Sequence, residues 1–385
     1  MYGQIEQMIN DEYFNNTIEI LKDLVKIPSV SCNEKRLARY IGDYLKKIGA
    51  KVIFQKISDN SENVIASIDG SEGGHNIILA GHLDTVSPLD GWDKNPFDPH
   101  EDPDRIYGLG SSDMKAGIAI AITLAEIFAR NKENFKGNIK LIFVADEEGY
   151  STGIKKLIKE IGIDADIIYM IEPHYYNAVI GAAGKMLIKV NAKGKASHAA
   201  HPEKGVNAIE ETSSLISNLD KVRRVTHEKI QSQPFVTFNI KGGYDSYSVT
   251  VPDNCEAIVN KHTVPGESTE FILKQLQELK SDLGLKSEFD FNIIEPFYPP
   301  YAIDENSKYL CELQKAYKEV LGYELGLEYE TGVSDSNCIV GLTGITTINF
   351  GPSGGPIHSP NEWVSKKQIY NVLKVYAKII CKLMY

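Results

Sequence analysis

Several features that mark large protein classes are scarce in this sequence. The chain of 385 residues has five cysteines, all scattered and none in Cys-x-x-Cys spacing, which excludes a thiolate zinc site and predicts reduced thiols in the cytoplasm. Its formal charge of −11 argues against nucleic acid or an anionic membrane as a partner. No apolar run approaches the roughly 20 residues of a membrane helix. Residues 1–7 lack a basic stretch leading into an apolar one, so we expect no signal peptide.

The order of the predicted elements indicates two domains, one of them inserted into the other. Helices at 12–27, 34–48, 114–129 and 152–161 alternate with strands, which is typical of an α/β fold with a helix-covered mixed sheet. The pattern then changes to a βαββαβ two-layer sandwich, predicted as strand 186–193, helix 205–220, strands 235–242 and 255–263, helix 267–284 and strand 288–294. We therefore expect a catalytic domain from 1–183 and 296–385, and an inserted lid or dimerisation domain over 184–295.

Acidic and imidazole side chains follow the ends of several predicted strands. His82 lies two positions before Asp84, so the ring can offer one nitrogen to a metal and the other to the carboxylate, although a plain structural pair has the same spacing. Asp113 follows a glycine-rich turn, where a helix N-cap is the alternative. The buried-strand pattern at 139–145 runs into three carboxylates at 146–148, which need a cation, a shared proton or solvent to coexist.

Two further residues complete this group. The apolar run at 166–171 ends at Glu172, and His358 stands in a glycine- and proline-rich loop before the last helix, where a surface histidine is equally compatible with the pattern. Together the strand ends describe a pocket rich in oxygen and nitrogen at the carboxyl edge of an α/β sheet. This donor set suits zinc, cobalt or manganese.

In this order the motifs resemble the two-metal zinc exopeptidase and deacylase family, which includes succinyl-diaminopimelate desuccinylase, acetylornithine deacetylase, aminoacylase and glutamate carboxypeptidase. The resemblance spans almost the whole chain. It rests on His82-x-Asp84, Gly-x-Gly-x-x-Asp113, 146–149 (Asp-Glu-Glu-Gly), Glu172-Pro and the motif His-x-x-Asn-Glu at 358–362.

The resemblance implies a role for each of these residues. One metal would be held by His82, Asp113 and Glu172, and the other by Asp113, Glu148 and His358, with the Asp113 carboxylate as the bridge. Two such metals share a water and lower its pKa towards neutrality. Glu147 would be the general base and Asp84 would orient His82. The resemblance also implies a cis peptide bond after the bridging aspartate, at Asp113-Met114.

The inserted domain contains further candidate site residues. A histidine at the position of His198 reaches the active site in this family, in many members that of the other subunit, and hydrogen-bonds the developing oxyanion. The alternative is that His198 caps a helix or faces water. His201 has no such support and is predicted to face solvent. Asn207 is a candidate substrate contact, but it fits a brace at the start of a helix better.

One departure from the family pattern puts the substrate in doubt. Relatives usually carry Asp-x-Arg-x-x-Pro where 260–265 reads Asn-Lys-His-Thr-Val-Pro, so His262 replaces the arginine that grips a substrate carboxylate. His262 is either a weaker clamp or a structural sheet histidine. The backbone of the loop around Gly354 could hold a carboxylate instead, with a plain turn as the alternative. Ser334 lies in a segment similar to the family's substrate-side loop and also fits helix capping.

The resemblance implies a metal-dependent hydrolase with two divalent ions, most simply zinc, acting on a small molecule or short peptide. We rank a deacylase of N-acyl amino acids or a carboxypeptidase first and a di- or tripeptidase second. In this family a glutamate at the position of Glu172 favours deacylases and carboxypeptidases. We expect a homodimer formed through the inserted domain. A non-catalytic binding protein would require a broken ligand or a lost base, and a metal store would leave Glu147 without a purpose.

Overall fold

The computed structural model describes residue 9 and residues 11–385. Residues 1–7, on which the expectation about a signal peptide rests, lie outside the described residues. The chain folds into two compact units. The first unit comprises the described residues up to Ile180, Ile303–Glu328 and Ser334–Tyr385, and the second comprises Gly181–Ala302 and Tyr329–Val333. The segment predicted as an insertion, 184–295, lies inside the second unit.

Nine α-helices and sixteen strands are formed by the described residues. The helices are α1 (Asp11–Val25), α2 (Lys35–Lys47), α3 (Ala116–Ala129), α4 (Thr152–Glu160), α5 (Ala208–Ile216), α6 (Thr269–Asp282), α7 (Lys308–Leu321), α8 (Asp335–Thr343) and α9 (Lys366–Met384). The strands are β1 (Lys51–Lys56), β2 (Glu62–Asp69), β3 (Ser71–His82), β4 (His100–Glu101), β5 (Arg105–Tyr107), β6 (Lys136–Val144), β7 (Ile167–Met170), β8 (Asn177–Ala182), β9 (Gly184–Lys193), β10 (Val236–Gly242), β11 (Asn254–Thr263), β12 (Glu288–Tyr298), β13 (Tyr301–Ala302), β14 (Gly326–Glu330), β15 (Thr347–Asn349) and β16 (Trp363–Ser365). No helix in this part of the chain is long and apolar enough to span a bilayer.

The first unit is built on a mixed sheet whose strands run in the order β1-β2-β6-β3-β7-β15-β8. Strands β6, β3, β7 and β15 are parallel neighbours, whereas β1 and β2 are antiparallel. The register pairs His82 with Val144 and Ala80 with Met170. Because parallel strands end at the same edge, the segments that follow β3, β6 and β7 emerge side by side.

The apolar runs of the sequence form the interior of this unit. Helix α3 is buried along almost its whole length, as its nearly continuous Ala and Ile content predicts. It lies so close to the sheet that a Cβ atom at Gly117 would come within 2.2 Å of the Ile171 carbonyl oxygen. Only a glycine allows this approach, which brings the start of α3 near the end of β7.

The second unit is an antiparallel four-stranded sheet in the order β10-β11-β9-β12, with α5 and α6 in the sequence between its strands. Alternate residues of β9, including Ile188 and Val190, are buried together with Leu215 of α5 and Leu276 of α6. The helices therefore cover one face of the sheet. The order of elements in this unit is βαββαβ.

Some predicted boundaries are wrong. The helix predicted over 205–220 is α5 at Ala208–Ile216, because Asn207 caps its start and a 3₁₀ turn at Leu219–Lys221 follows its end. The helix predicted from 114 begins at Ala116, because Ser111–Lys115 forms a π-helical turn with non-helical dihedral angles at Asp113. The short sheet of β16, β5 and β4 has no counterpart in the predicted elements. Its strands are two or three residues long and give no periodic signal.

Candidate metal centre

Three neighbouring strands deliver the predicted site residues to one edge of the sheet. His82 is the last residue of β3, and one residue separates the end of β6 from the carboxylates at 146–148 and the end of β7 from Glu172. Asp146 has a positive φ of 65°, so the chain turns sharply after β6. Its side chain accepts a hydrogen bond from Thr152 at 2.5 Å and not from the other site residues. Glu147 and Glu148 are therefore the members of the acidic run that are available to the site.

The first group of candidate ligands is His82, Asp113 and Glu172, all of them buried. The His82 Nε2 atom lies 3.1 Å from Asp113 Oδ1 and 3.8 Å from Glu172 Oε2. Two ligands that are each about 2.0 to 2.2 Å from one tetrahedral ion are separated by about 3.4 Å. The three side chains thus have the spacing of ligands to a single cation.

The second group is Asp113, Glu148 and His358. The His358 Nε2 atom lies 2.8 Å from Glu148 Oε1 and 3.3 Å from Asp113 Oδ2. His358 itself is about half exposed and has a positive φ of 53°. The two groups share only Asp113 and use different oxygens of its carboxylate, which is the arrangement of a bridging ligand.

The electrostatics of this cluster favour added positive charge. Burial raises the pKa of Glu172 to about 8, and it also raises the pKa of Glu148. The hydrogen bond with Asp113 raises the pKa of His358 to about 9. Burial opposes protonation of His82, yet the charge of Glu172 and the contact with Asp113 raise its pKa well above the ordinary value. Several carboxylates held this close together are stabilised by cations.

The residues present fit two divalent cations. Within residues 9 and 11–385, the buried Oε1 atom of Glu172 has no hydrogen-bond partner, although a buried carboxylate oxygen is normally satisfied. The donor set is carboxylate oxygen and imidazole nitrogen, which suits zinc, manganese or cobalt. The Asp113-Met114 peptide bond is cis, as the family resemblance implies.

A sequence profile of the peptidase family M20/M25/M40 matches residues 78–382. The chain belongs to this family. It is therefore a hydrolase of the metallopeptidase and amidohydrolase type, and the predicted family is confirmed.

Relatives of this M20 chain agree with that assignment. A succinyl-diaminopimelate desuccinylase of a Nitratiruptor species is 27% identical over 377 residues, which cover 94% of this chain and 98% of the relative. A tripeptidase from Staphylococcus aureus subsp. aureus Mu50 has a TM-score of 0.74 at 22% identity, covering 96% of this chain and 98% of that one. The dinuclear metal binding peptidase YxeP of Bacillus subtilis has a TM-score of 0.74 at 16% identity, covering 97% and 99%. The α/β fold is confirmed.

The ring of His82 lies beside Asp84, as predicted, and is nearer to its backbone oxygen than to its carboxylate. The Nδ1 atom of His82 lies 2.9 Å from the backbone oxygen of Asp84, whereas the nearer carboxylate oxygen is 3.5 Å away. The carboxylate instead accepts hydrogen bonds from the backbone N–H groups of Glu147 and Glu148, each at 3.0 Å, and from the Ser31 hydroxyl at 2.8 Å. Asp84 therefore contacts the histidine ring through its backbone oxygen and the acidic turn through its carboxylate.

Two residues near the M20 site, Asp335 and Ser31, were not among the predicted site residues. Asp335, the first residue of α8, is fully buried, and burial raises its pKa to about 7. Its charge adds to the effect of burial in raising the pKa of Glu147 and that of Glu172. In the sequence, an aspartate after a serine indicates a helix cap. The proximity of Asp335 to the site is evident only from the fold. Ser31 lies far from Asp84 in sequence and has no local signal.

The three predicted residues of the second unit have different surroundings. His198 is exposed, and its Nδ1 accepts a hydrogen bond from the Ala200 N–H at 3.0 Å. Asn207 caps α5 by accepting from Ile209 N–H, which agrees with a structural role. His262 lies on β11, and its buried Nδ1 has no hydrogen-bond partner in the described part of the chain. Burial lowers the pKa of His262, so the ring is neutral at pH 7.

The loop that contains Gly354 is largely occupied by internal hydrogen bonds. The N–H group of Ser353 donates to Gln368 Oε1, and that of Gly355 donates to the Trp363 carbonyl oxygen, both at 2.8 Å. The N–H groups of Ser353 and Gly355 are therefore not available to a bound carboxylate. The prediction that this loop holds a substrate carboxylate now concerns Gly354 itself. Ser334 precedes α8, and its N–H donates to Asn337 Oδ1 at 2.9 Å. This contact belongs to the start of the helix and gives no indication of substrate binding.

Proposed function

We propose that this M20 hydrolase cleaves the amide bond of a small N-acyl amino acid, or the terminal bond of a short peptide, with two divalent cations. The observation that carries the proposal is the shared use of Asp113, whose two carboxylate oxygens face His82 and His358 respectively. His82, Asp113 and Glu172 would hold one ion, and Asp113, Glu148 and His358 the other. Zinc is our first choice of metal, and cobalt or manganese would suit the same donors.

Glu147 is the residue that we assign to proton transfer. When bound, the two ions polarise the scissile carbonyl and acidify a water molecule. The side chain of Glu147 belongs to neither ligand group, yet it lies beside Glu148 on a turn that Asp84 holds in place. Burial raises the pKa of Glu147 well above its ordinary value. A base of raised pKa accepts the proton of the attacking water on its carboxylate and delivers it to the leaving nitrogen.

His198 is the residue that we assign to the oxyanion. Its Nδ1 accepts the Ala200 N–H, so in the neutral ring the proton resides on Nε2 and is available for donation. Such a donor stabilises the negative oxygen that develops when water attacks a carbonyl. The family resemblance supports this role, since a histidine in this sequence context acts on the substrate there.

His198→Ala should lower turnover about a hundredfold or more without loss of metal, because one oxyanion donor contributes a factor of that size. The measurement pairs steady-state kinetics with metal content per chain. His201→Ala is the matched control, since His201 lies three residues away and is exposed. Equal kinetics in both variants would remove His198 from the mechanism.

We rank the deacylase or carboxypeptidase activity above a di- or tripeptidase. Glu172 is a glutamate rather than an aspartate, and the desuccinylase relative removes an acyl group by its name. The second candidate is favoured by His262. A neutral imidazole cannot form the two parallel hydrogen bonds by which an arginine holds a substrate carboxylate. The S. aureus tripeptidase of similar fold is consistent with this alternative.

A hydrolysis panel separates these candidates. N-acetyl and N-succinyl amino acids are compared with dipeptides and tripeptides, each with and without a metal chelator. The proposal expects chelator-sensitive cleavage of N-acyl amino acids as the best substrates. Cleavage of only unblocked peptides would instead establish the peptidase, and cleavage that is insensitive to metal removal would contradict both.

We further propose that the protein forms a homodimer through strand β10. In the described residues β10 pairs only with β11, so its other edge presents unpaired backbone groups. Val236, Phe238 and Ile240 on this strand are 48%, 59% and 49% exposed. Apolar side chains along a free strand edge are typical of an interaction surface, and an identical strand of a second copy satisfies both the backbone and the side chains.

Phe238→Lys is expected to convert the dimer into a monomer, because it places a charge in the centre of that edge. Light scattering after gel filtration measures the mass. Ile53→Lys is the control, since Ile53 is 57% exposed but lies on β1 of the first unit. A wild-type chain that is monomeric at micromolar concentration, or a dimer that survives Phe238→Lys, contradicts the proposed interface.

We propose that the protein is cytoplasmic. All five cysteines are free thiols, including the exposed Cys32, which suits a reducing compartment.

A further inference from the structure

Glu362 is a buried glutamate whose carboxylate is used entirely by the turn that carries Asp113. One of its oxygens, Oε1, accepts hydrogen bonds from the backbone N–H groups of Ser112 at 2.8 Å and Asp113 at 3.0 Å. The other, Oε2, accepts from Gly110 N–H at 2.9 Å. Glu362 is only 1% exposed. Three N–H groups of one turn therefore converge on a single side chain from a distant segment of the chain.

The same residue belongs to the loop that carries His358. Its backbone oxygen accepts a hydrogen bond from Gly108 N–H at 3.1 Å, so Glu362 contacts the turn with both its backbone and its side chain. The preceding residue, Asn361, has a positive φ of 61° and accepts from Asp93 N–H at 3.0 Å. The loop is thus anchored shortly after His358.

We propose that Glu362 is a positioning residue for the metal centre. It joins the Asp113 turn to the His358 loop, and thereby sets the distance between the bridging carboxylate and the histidine of the second ligand group, now 3.3 Å. Glu362 itself is not a ligand, because its oxygens are bonded to the backbone. The inference rests on the proposed two-metal function and explains how two segments so distant in sequence keep the geometry of that site.

The chemistry of the contact requires a carboxylate. One carboxylate oxygen accepts from the N–H group of Gly110, and the other accepts from those of Ser112 and Asp113. Only a side chain with two acceptor oxygens can do both. A glutamine would turn its NH₂ group towards one of these donors.

The test is metal binding by the metal-free full-length chain. Glu362→Gln should weaken the binding of Co²⁺ about tenfold or more at the second site, measured by calorimetric titration, and should change the visible absorption of the bound Co²⁺, which reports ligand geometry. Glu362→Asp keeps the charge but is shorter by one methylene, so it should show a smaller loss. It is also the variant to measure if Glu362→Gln does not fold.

Glu267→Gln is the matched control. Glu267 is also a buried glutamate that accepts backbone N–H groups, from Val225 at 3.2 Å and Val264 at 3.1 Å, but it lies in the second unit. It should lower the melting temperature and leave Co²⁺ binding unchanged. Wild-type affinity and spectrum in both Glu362 variants, or equal weakening by Glu267→Gln, would overturn the inference. A wild-type chain that binds no Co²⁺ would instead refute the proposed function on which the inference rests.

Discussion

Glu147→Gln is expected to lower turnover by about a hundredfold or more while the chain keeps close to two metal ions. The amide has the size of the carboxylate but cannot accept the proton of the attacking water. Glu147 lies outside both ligand groups, and its backbone N–H remains free to donate to Asp84 Oδ1 in the variant. The metal centre should therefore persist. The measurements are kcat on the best substrate of the panel and metal content by elemental analysis.

The control for this variant is Glu133→Gln, the same chemical change on an exposed residue of the first unit. It should retain wild-type turnover. If Glu147→Gln turned over at near the wild-type rate, Glu147 would not be the base. If it lost both activity and metal, Glu147 would be holding the ions, and the assignment of ligands would need revision.

Asp113→Asn should have a larger effect, because Asp113 is the only residue common to both ligand groups. The substitution removes the negative charge that faces both His82 and His358 and leaves one oxygen to serve two ions. We expect metal content to fall from near two to below one per chain. Metal ions contribute several kcal/mol to catalysis, so turnover should fall about a thousandfold or more.

Two comparisons make the Asp113 result specific. Glu172→Gln affects one ligand group only, so it should lose no more than one ion per chain. Asp59→Asn, on an exposed residue, should lose none. An Asp113→Asn variant that still bound two ions tightly would show that this carboxylate does not bridge them.

The candidate ligands could be predicted because the ends of the strands can be recognised in the sequence. An apolar run that ends in a charged residue marks the edge of a parallel sheet, and β3, β6 and β7 place His82, Glu148 and Glu172 together for that reason. The position of His358 is not periodic, so only its motif and family resemblance identified it. The metal roles of these residues remain a prediction.

The supporting contacts were not predictable, because they join segments distant in sequence. Nothing in the motif ending at Glu362 indicates that its carboxylate binds the backbone from Gly110 to Asp113. Similarly, His82 and Asp84 were correctly read as neighbours, but a spacing of two residues does not distinguish the backbone oxygen from the carboxylate. The boundaries of α5 and the short sheet of β4, β5 and β16 depend on caps and pairings that hydrophobic patterns do not encode.

The most direct test of the central claim is the metal content of fully active, purified protein, measured together with activity as metal is withdrawn and restored. Two divalent ions per chain, with activity lost on chelation and regained on adding zinc, cobalt or manganese, is the result that the shared use of Asp113 predicts. Full activity in a chain that contains no bound transition metal would contradict it.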